Sequence, residues 1–279
     1  MKRRNRCAVF LNRQMKKESL QMKSISFRIE NYIAYVTINR PEVLNCFNYD
    51  ALSQLQQIVD ELHIAENVRV VIFTGAGDKA FSAGADLKER KTLTIQEVHR
   101  NVRAIRDVFN SIANLPQPTI AAVNGHALGG GFEWLLACDF AIAVNEALLG
   151  LTETSWAIIP GAGGTQRLPR LIGEMKAKEM ILTAAKITAS EAASLGIVLK
   201  TVPRESLLME CESLAMRMMQ NGPVAVRQAK YAISQGMNTD IQTGLAIESK
   251  AYELVIPTED RLEALQAFSE KRQPAFQGK

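Results

Sequence analysis

The stretch Ile120-Ala121-Ala122-Val123-Asn124-Gly125-His126-Ala127-Leu128-Gly129-Gly130-Gly131-Phe132-Glu133 passes from an apolar run through three consecutive glycines into an amphipathic segment. Residues 119–123 read as a buried strand, and residues 130–137 read as a helix that begins on the glycines. Glycine lets the backbone turn tightly and lets a ligand or another main chain come close, while the first N–H groups of a helix have no partner within it. Backed by the helix dipole, such groups suit a carbonyl oxygen that becomes negative during a reaction. A tight strand-to-helix crossing with no ligand would explain the same glycines. A dinucleotide fingerprint is not indicated, because the G-x-G-x-x-G spacing is absent at this turn. Nor is a phosphate cradle, since Gly161-Ala162-Gly163-Gly164-Thr165 lacks the lysine.

Working outward, the same alternation recurs. Residues 26–30 and 33–39 read as two strands around an Asn31-Tyr32 turn. Residues 50–62 place Leu52, Leu55, Ile58, Val59 and Leu62 at helical spacing, with Asp50 as candidate N-cap, and residues 68–74 form a buried strand. A helix over 95–113, a break at Leu115-Pro116-Gln117-Pro118 and a strand over 140–144 complete the theme. Strands alternating with helices imply an α/β layered domain, with ligands at the turns that leave the carboxyl ends of strands. After about Gly222 only helices are expected, over 223–235, 240–254 and 259–270, with Asp240 and Thr258 as caps. The division expected is a basic, disordered tail (1–23), an α/β core (24–221) and a helical C-terminal oligomerisation segment (222–279).

At 279 residues with 47% hydrophobic and 22% charged residues, the chain can bury a sizeable core, and no apolar run approaches the roughly 20 residues of a membrane-spanning helix. The net charge of +4 is unevenly spread: residues 1–23 carry eight Lys or Arg against Glu18, which leaves −3 for the rest. The basic pI therefore speaks for the tail and not for a nucleic-acid-binding body. The tail reads as a targeting peptide, a flexible arm, or residues upstream of a start at Met15 or Met22. Cys7, Cys46, Cys138 and Cys211 have no paired spacing, which suits reduced thiols, and Cys138 in its apolar run suits a small buried hydrophobe. His63, His99 and His126 show no metal-ligand spacing, so no metal is expected.

Two further features carry chemistry. The turn Phe81-Ser82-Ala83-Gly84-Ala85-Asp86-Leu87-Lys88 also follows a buried strand and could supply a second backbone N–H to the same oxygen, completing an oxyanion hole for an enolate. Glu133 lies among Phe132, Trp134, Leu135 and Leu136, where burial would raise its pKa toward the range useful for proton transfer. Pairing with the helix dipole is the alternative for Glu133. Glu153, in Leu151-Thr152-Glu153-Thr154-Ser155-Trp156, is open to the same reading and to that of a solvated loop carboxylate.

Residues 120–140 resemble the signature of the crotonase (enoyl-CoA hydratase/isomerase) family, and residues 159–167 resemble the segment after its second glutamate. Asn39-Arg40-Pro41 with Asn45, and Ala83-Gly84-Ala85-Asp86-Leu87, are similar to the family's coenzyme A-binding segments. The resemblance covers nearly all of residues 24–279. It implies an α/β fold, a crotonase-like spiral of ββα units with a C-terminal all-helical segment. It further implies that Ala85 and Gly130 supply the oxyanion N–H groups, and that Glu133 and Glu153 are the catalytic carboxylates. Ala83, Asp86, Leu87, Phe268 and Lys271 correspond to contacts with substrate or CoA. Because both glutamates are present, the resemblance implies syn hydration of a trans-2-enoyl-CoA. The alternatives are a Δ3,Δ2-enoyl-CoA isomerase and a noncatalytic RNA-binding or CoA-binding homologue.

The end of the chain, with Gly222-Pro223-Val224-Ala225-Val226 and Ile256-Pro257-Thr258-Glu259-Asp260, is similar to the methylglutaconyl-CoA hydratase branch, which makes 3-methylglutaconyl-CoA, an intermediate of leucine breakdown, a candidate substrate. That branch includes an RNA-binding protein with a comb of lysines on one helix; residues 51–66 here contain no lysine, so nucleic-acid binding is not expected. No cofactor is expected, coenzyme A being part of the substrate. The family resemblance further implies a homotrimer or hexamer, with no membrane partner. The location expected is cytoplasmic, or the mitochondrial matrix if the tail is a transit peptide. A substrate with a distal carboxylate would call for a cation, and Lys88, Arg90, Lys91, Arg100 and Arg103 cluster after the second turn, where a solvated helix face is the other reading.

Overall fold

The computed structural model describes residues 18–279, and expectations for residues 1–17 lie outside the described residues. The chain divides into two compact units, one running to Leu115 and resuming over Thr119–Cys211, the other made of Pro116–Pro118 and Glu212–Lys279.

The first unit opens with β1 (Glu18–Gln21), β2 (Ile25–Glu30) and β3 (Ile33–Ile38). β1 takes up the last residues of the stretch expected to be a disordered tail, pairing antiparallel with the otherwise open edge of β2, Glu18 opposite Ile29. Asn31 and Tyr32 both have positive φ, 51° and 63°, which gives the left-handed two-residue turn that a hairpin's twist favours. Helix α1 (Tyr49–His63) is capped by Asn48, whose side chain accepts from the Ala51 N–H at 2.9 Å, and not by Asp50. Asp50 already lies inside the first turn, and its carboxylate accepts from Ser24 and Gln54.

There follow β4 (Val70–Gly75), β5 (Ala80–Ser82), α2 (Leu87–Arg90), α3 (Ile95–Ala113), β6 (Thr119–Val123), β7 (His126–Leu128) and α4 (Gly130–Leu136). Then come β8 (Phe140–Val144), β9 (Leu148–Gly150), α5 (Gly164–Ile172), α6 (Glu174–Leu182), β10 (Ile187–Thr188), α7 (Ala189–Ser194), β11 (Lys200–Val202) and α8 (Leu207–Met219). Three times the chain lays one strand in a seven-stranded sheet, the next in a four-stranded sheet, and then enters a helical segment: β4 then β5, β6 then β7, β8 then β9. This is the expected spiral of ββα units. The large sheet has the order β1-β2-β3-β4-β6-β8-β11, parallel from β3 onward; the small one has the order β10-β9-β7-β5. Strands β4, β6 and β8 are apolar along their length because both faces are covered.

The core behind the small sheet is aromatic. Trp134 on α4 is fully buried, stacked on Phe81 at 4.3 Å and met edge-on by Phe47 at 5.3 Å and Phe73 at 5.8 Å. Each such pair contributes about 0.5–1.5 kcal/mol beyond area burial. The cluster fixes the first turn of α4, and with it the residue just before the tryptophan, Glu133.

The second unit is helical, with α9 (Pro223–Gly236), α10 (Ile241–Val255, capped by Asp240) and α11 (Glu259–Glu270, capped by Thr258). Gly236 and Gly244 let α9 and α10 pack closely: a Cβ added at Gly236 would lie 3.5 Å from the Gly244 Cα. Buried Asp260 accepts from the N–H groups of Gln277 (2.6 Å) and Gly278 (2.8 Å), tying down the chain end. No helix among the described residues is long and apolar enough to cross a membrane.

Candidate active site

Strands β5, β7 and β9 run parallel side by side, so the three loops leaving their carboxyl ends emerge together. Those loops carry Ala83 and Ala85, Gly129 and Gly130, and Thr152 and Glu153, and all six line one cavity of about 200 Å3. The sequence-predicted residues Leu87 and Glu133 line it too.

The glycines allow the loops to touch. Gly129 has φ +53°, and a Cβ there would lie 3.3 Å from Glu153 Oε1; a Cβ at Gly131 would lie 1.9 Å from the Ser82 carbonyl oxygen, closer than atoms can approach. The Gly84 and Gly130 backbones are in contact, with a Cβ at Gly130 falling 3.6 Å from the Ala85 nitrogen. Neither the Ala85 nor the Gly130 N–H donates a hydrogen bond among the described residues. Gly130 is the first residue of α4 and so has no intrahelical acceptor. Two adjacent uncommitted N–H groups at a cavity wall form a site for a developing oxyanion.

Several buried polar groups hold the first loop. Asn45 Nδ2 donates to the carbonyls of Ala76 (2.9 Å) and Ala80 (2.7 Å), and Ser82 Oγ donates to the Asn45 carbonyl at 2.8 Å while accepting from the Gly84 N–H. Asp86 is not among the cavity-lining residues: it caps α2 and pairs with Arg40 at 3.1 Å. Phe268 and Lys271 belong to the second unit, where Phe268 is exposed on α11 and Lys271 is the left-handed residue that ends it.

The two carboxyls differ in how they are held. Glu133 is 3% exposed, and its Oε1 accepts from the N–H groups of Ala162 (2.7 Å) and Gly164 (2.8 Å). Burial pushes its pKa above the ordinary value, against those two N–H groups and the Arg167 and Arg90 charges, which pull it down. Arg167 also shapes the loop, donating to the Ala162 carbonyl at 3.0 Å and to Asn110 Oδ1 at 2.7 Å. Glu153 opens a 3-10 turn, and its Oε2 is buried with no hydrogen-bond partner. Burial first, and the Glu133 charge second, push Glu153 up to about 7.

A family model described as enoyl-CoA hydratase/isomerase matches residues 28–279. The chain belongs to the enoyl-CoA hydratase/isomerase family. A Bacillus subtilis (strain 168) protein, YngF, is 53% identical over 256 residues, 91% of this chain and 98% of its own length. The human mitochondrial methylglutaconyl-CoA hydratase is 46% identical over 250 residues, covering 88% of this chain and 74% of that one. The crystal structure of an enoyl-CoA hydratase from Bacillus anthracis superposes with a TM-score of 0.90 at 50% identity, covering 92% of this chain and all of the other. The crotonase fold expected from the sequence is therefore the fold of this chain.

The sequence reading missed the Ala162 and Gly164 N–H groups that hold Glu133, because a backbone donor leaves no mark beyond the small residues that permit it. It left Arg90 undistinguished among five cations. Of these, Lys88, Lys91, Arg100 and Arg103 are exposed, while Arg90 turns into the cavity and donates to Asn101 Oδ1 at 2.9 Å.

Proposed function

We propose that the chain is an enoyl-CoA hydratase that adds water syn across the double bond of a trans-2-enoyl-CoA. The observation that carries this reading is the convergence on one cavity of a buried carboxyl, a half-buried one and two uncommitted backbone N–H groups. The thioester oxygen accepts from Ala85 and Gly130, each donor contributing about 3 kcal/mol as the enolate forms. Glu133, whose two N–H donors favour its ionised form, takes a proton from water as the water oxygen bonds to the β-carbon. The double-bond electrons pass into the enolate, and Glu153, with its pKa near 7, delivers a proton to the α-carbon. Glu153 regains its proton from the one taken by Glu133, so the reaction balances with water alone.

The human relative named methylglutaconyl-CoA hydratase supports 3-methylglutaconyl-CoA as a substrate of this chain too. The exposed apolar groove between α9 and α10, which includes Ile233, Met237, Ile241 and Leu245, supports a homotrimer or hexamer, measurable by light scattering after size exclusion. The test of the reaction is hydration of crotonyl-CoA by wild type and Glu133→Gln, beside isomerisation of a 3-enoyl-CoA. Hydration should fall about 10³–10⁴-fold in the variant. A variant that keeps its main activity, as isomerisation, would sink the hydratase reading.

A further inference from the structure

We propose that Arg90 is a specificity-determining residue that grips a carboxylate at the far end of the acyl group, making short dicarboxylic enoyl-CoA esters the substrate class. The proposal rests on the hydratase reading and deepens it.

Arg90 is the last residue of α2, the helix that leaves the oxyanion loop, and lies one helical turn, about 6 Å, beyond Asp86. Its guanidinium is only partly committed. Nη2 donates to Asn101 Oδ1 at 2.9 Å, Nε is buried with no partner, and among the described residues no carboxylate oxygen lies within ion-pair distance of it. Asn101, 3% exposed on α3, holds one edge of the fork and leaves the rest available. Burial lowers the affinity of Arg90 for its proton, while the charges of Glu133 and Glu153 raise it, which agrees with a guanidinium facing the same cavity as both carboxyls.

The surrounding wall is apolar, formed by Val98, Val102, Ile105, Ile158 and Ile159. A guanidinium stays charged and offers five N–H donors in a fixed fork. A hydrocarbon acyl chain entering this cavity would displace water from the fork and leave donors unpaired, which is costly in a desolvated site. A carboxylate at the chain's far end supplies two acceptor oxygens in the geometry the fork matches. The cavity thus holds donors for the thioester oxygen on two adjacent loops and a cation for a second anionic group.

The alternative role for Arg90, tuning Glu133 and Glu153 by charge alone, would act on every substrate equally. The test is therefore a ratio. Wild type, Arg90→Met and Arg90→Lys are compared for kcat/KM on 3-methylglutaconyl-CoA and crotonyl-CoA. The ratio of the two should fall about 100-fold in Arg90→Met. It should fall less in Arg90→Lys, which keeps the charge without the fork. A second measurement needs no variant: glutaryl-CoA should inhibit the wild type at least about tenfold more tightly than pentanoyl-CoA. An unmoved ratio, or equal inhibition by the two saturated esters, would overturn the role of Arg90 while hydration of crotonyl-CoA left the hydratase reading standing. Failure of the wild type to hydrate either ester would instead overturn the reading on which the proposal rests.

Discussion

Glu133 and Glu153 are the same residue type at the wall of one cavity, yet the segments that carry them are built differently. Glu133 sits in the first turn of α4, locked by the Trp134 cluster, with both N–H donors of the 162–164 loop on one oxygen. Glu153 opens a short 3-10 turn, lies against the open face of Gly129, and keeps one buried oxygen without a partner. Donors that favour the charged form oppose burial at Glu133, whereas at Glu153 burial and the neighbouring charge act in the same direction. Position in a cavity does not set the role of a carboxyl; the hydrogen bonds behind it do. On this basis we propose the held glutamate as base and the other as acid.

The largest expected effect comes from treating the two as a unit. Glu133→Gln and Glu153→Gln should each lower kcat for hydration about 10³–10⁴-fold. The double variant should be little worse than either, because groups that act in one step are not additive. Losses that multiply would break the comparison by showing the carboxyls to work independently. A smaller effect follows from Arg167, whose charge holds the Glu133 pKa down. Arg167→Gln should raise that pKa, so the acidic limb of kcat/KM moves to higher pH, with a loss of about tenfold in kcat from the loosened Ala162 carbonyl. The alkaline limb, near pH 7 and set by Glu153, should stay in place. A shift of both limbs together would mean that the two carboxyls titrate as one pair.

How much of this was legible in the sequence depends on the kind of signal. The β6 strand, the glycine triplet and the α3 helix were readable because apolar period and glycine report backbone geometry directly. The expected helix over 95–113 and strand over 119–123 coincide with α3 and β6. The small sheet was not readable: β5, β7 and β9 are three residues each, too short for a period to show. Yet that sheet is what sets Ala85, Gly130 and Glu153 side by side. The α1 cap was misplaced by two residues because Asn48 and Asp50 are both good caps, and what distinguishes them is that Asp50 is engaged by Ser24 and, within the helix, by Gln54. Arg90 differs from Arg100 and Arg103 in nothing that the sequence shows except its place along the segment.

The smallest expected effect is on stability, and its sign separates the two glutamates most cleanly. In the unfolded chain Glu153 titrates near its ordinary 4.5, and in the fold it is raised to about 7. The folded state therefore binds the extra proton between those values, and the penalty for burying a carboxylate is absent below about pH 4.5, grows from there to pH 7, and is complete above it. Glutamine cannot ionise, so Glu153→Gln should be more stable than wild type at pH 8, by about 1 kcal/mol. Thermal unfolding would register this as a Tm gain of about 2–4 °C. The gain should shrink as the pH is lowered and vanish near 4.5. At Glu133 the carboxylate's two N–H donors offset part of the same penalty, so the pH-dependent gain from Glu133→Gln should be smaller. Equal gains at both positions would mean that the 162–164 loop leaves the charge on Glu133 as poorly solvated as that on Glu153. The assignment of base and acid from their hydrogen bonds would then lose its physical ground.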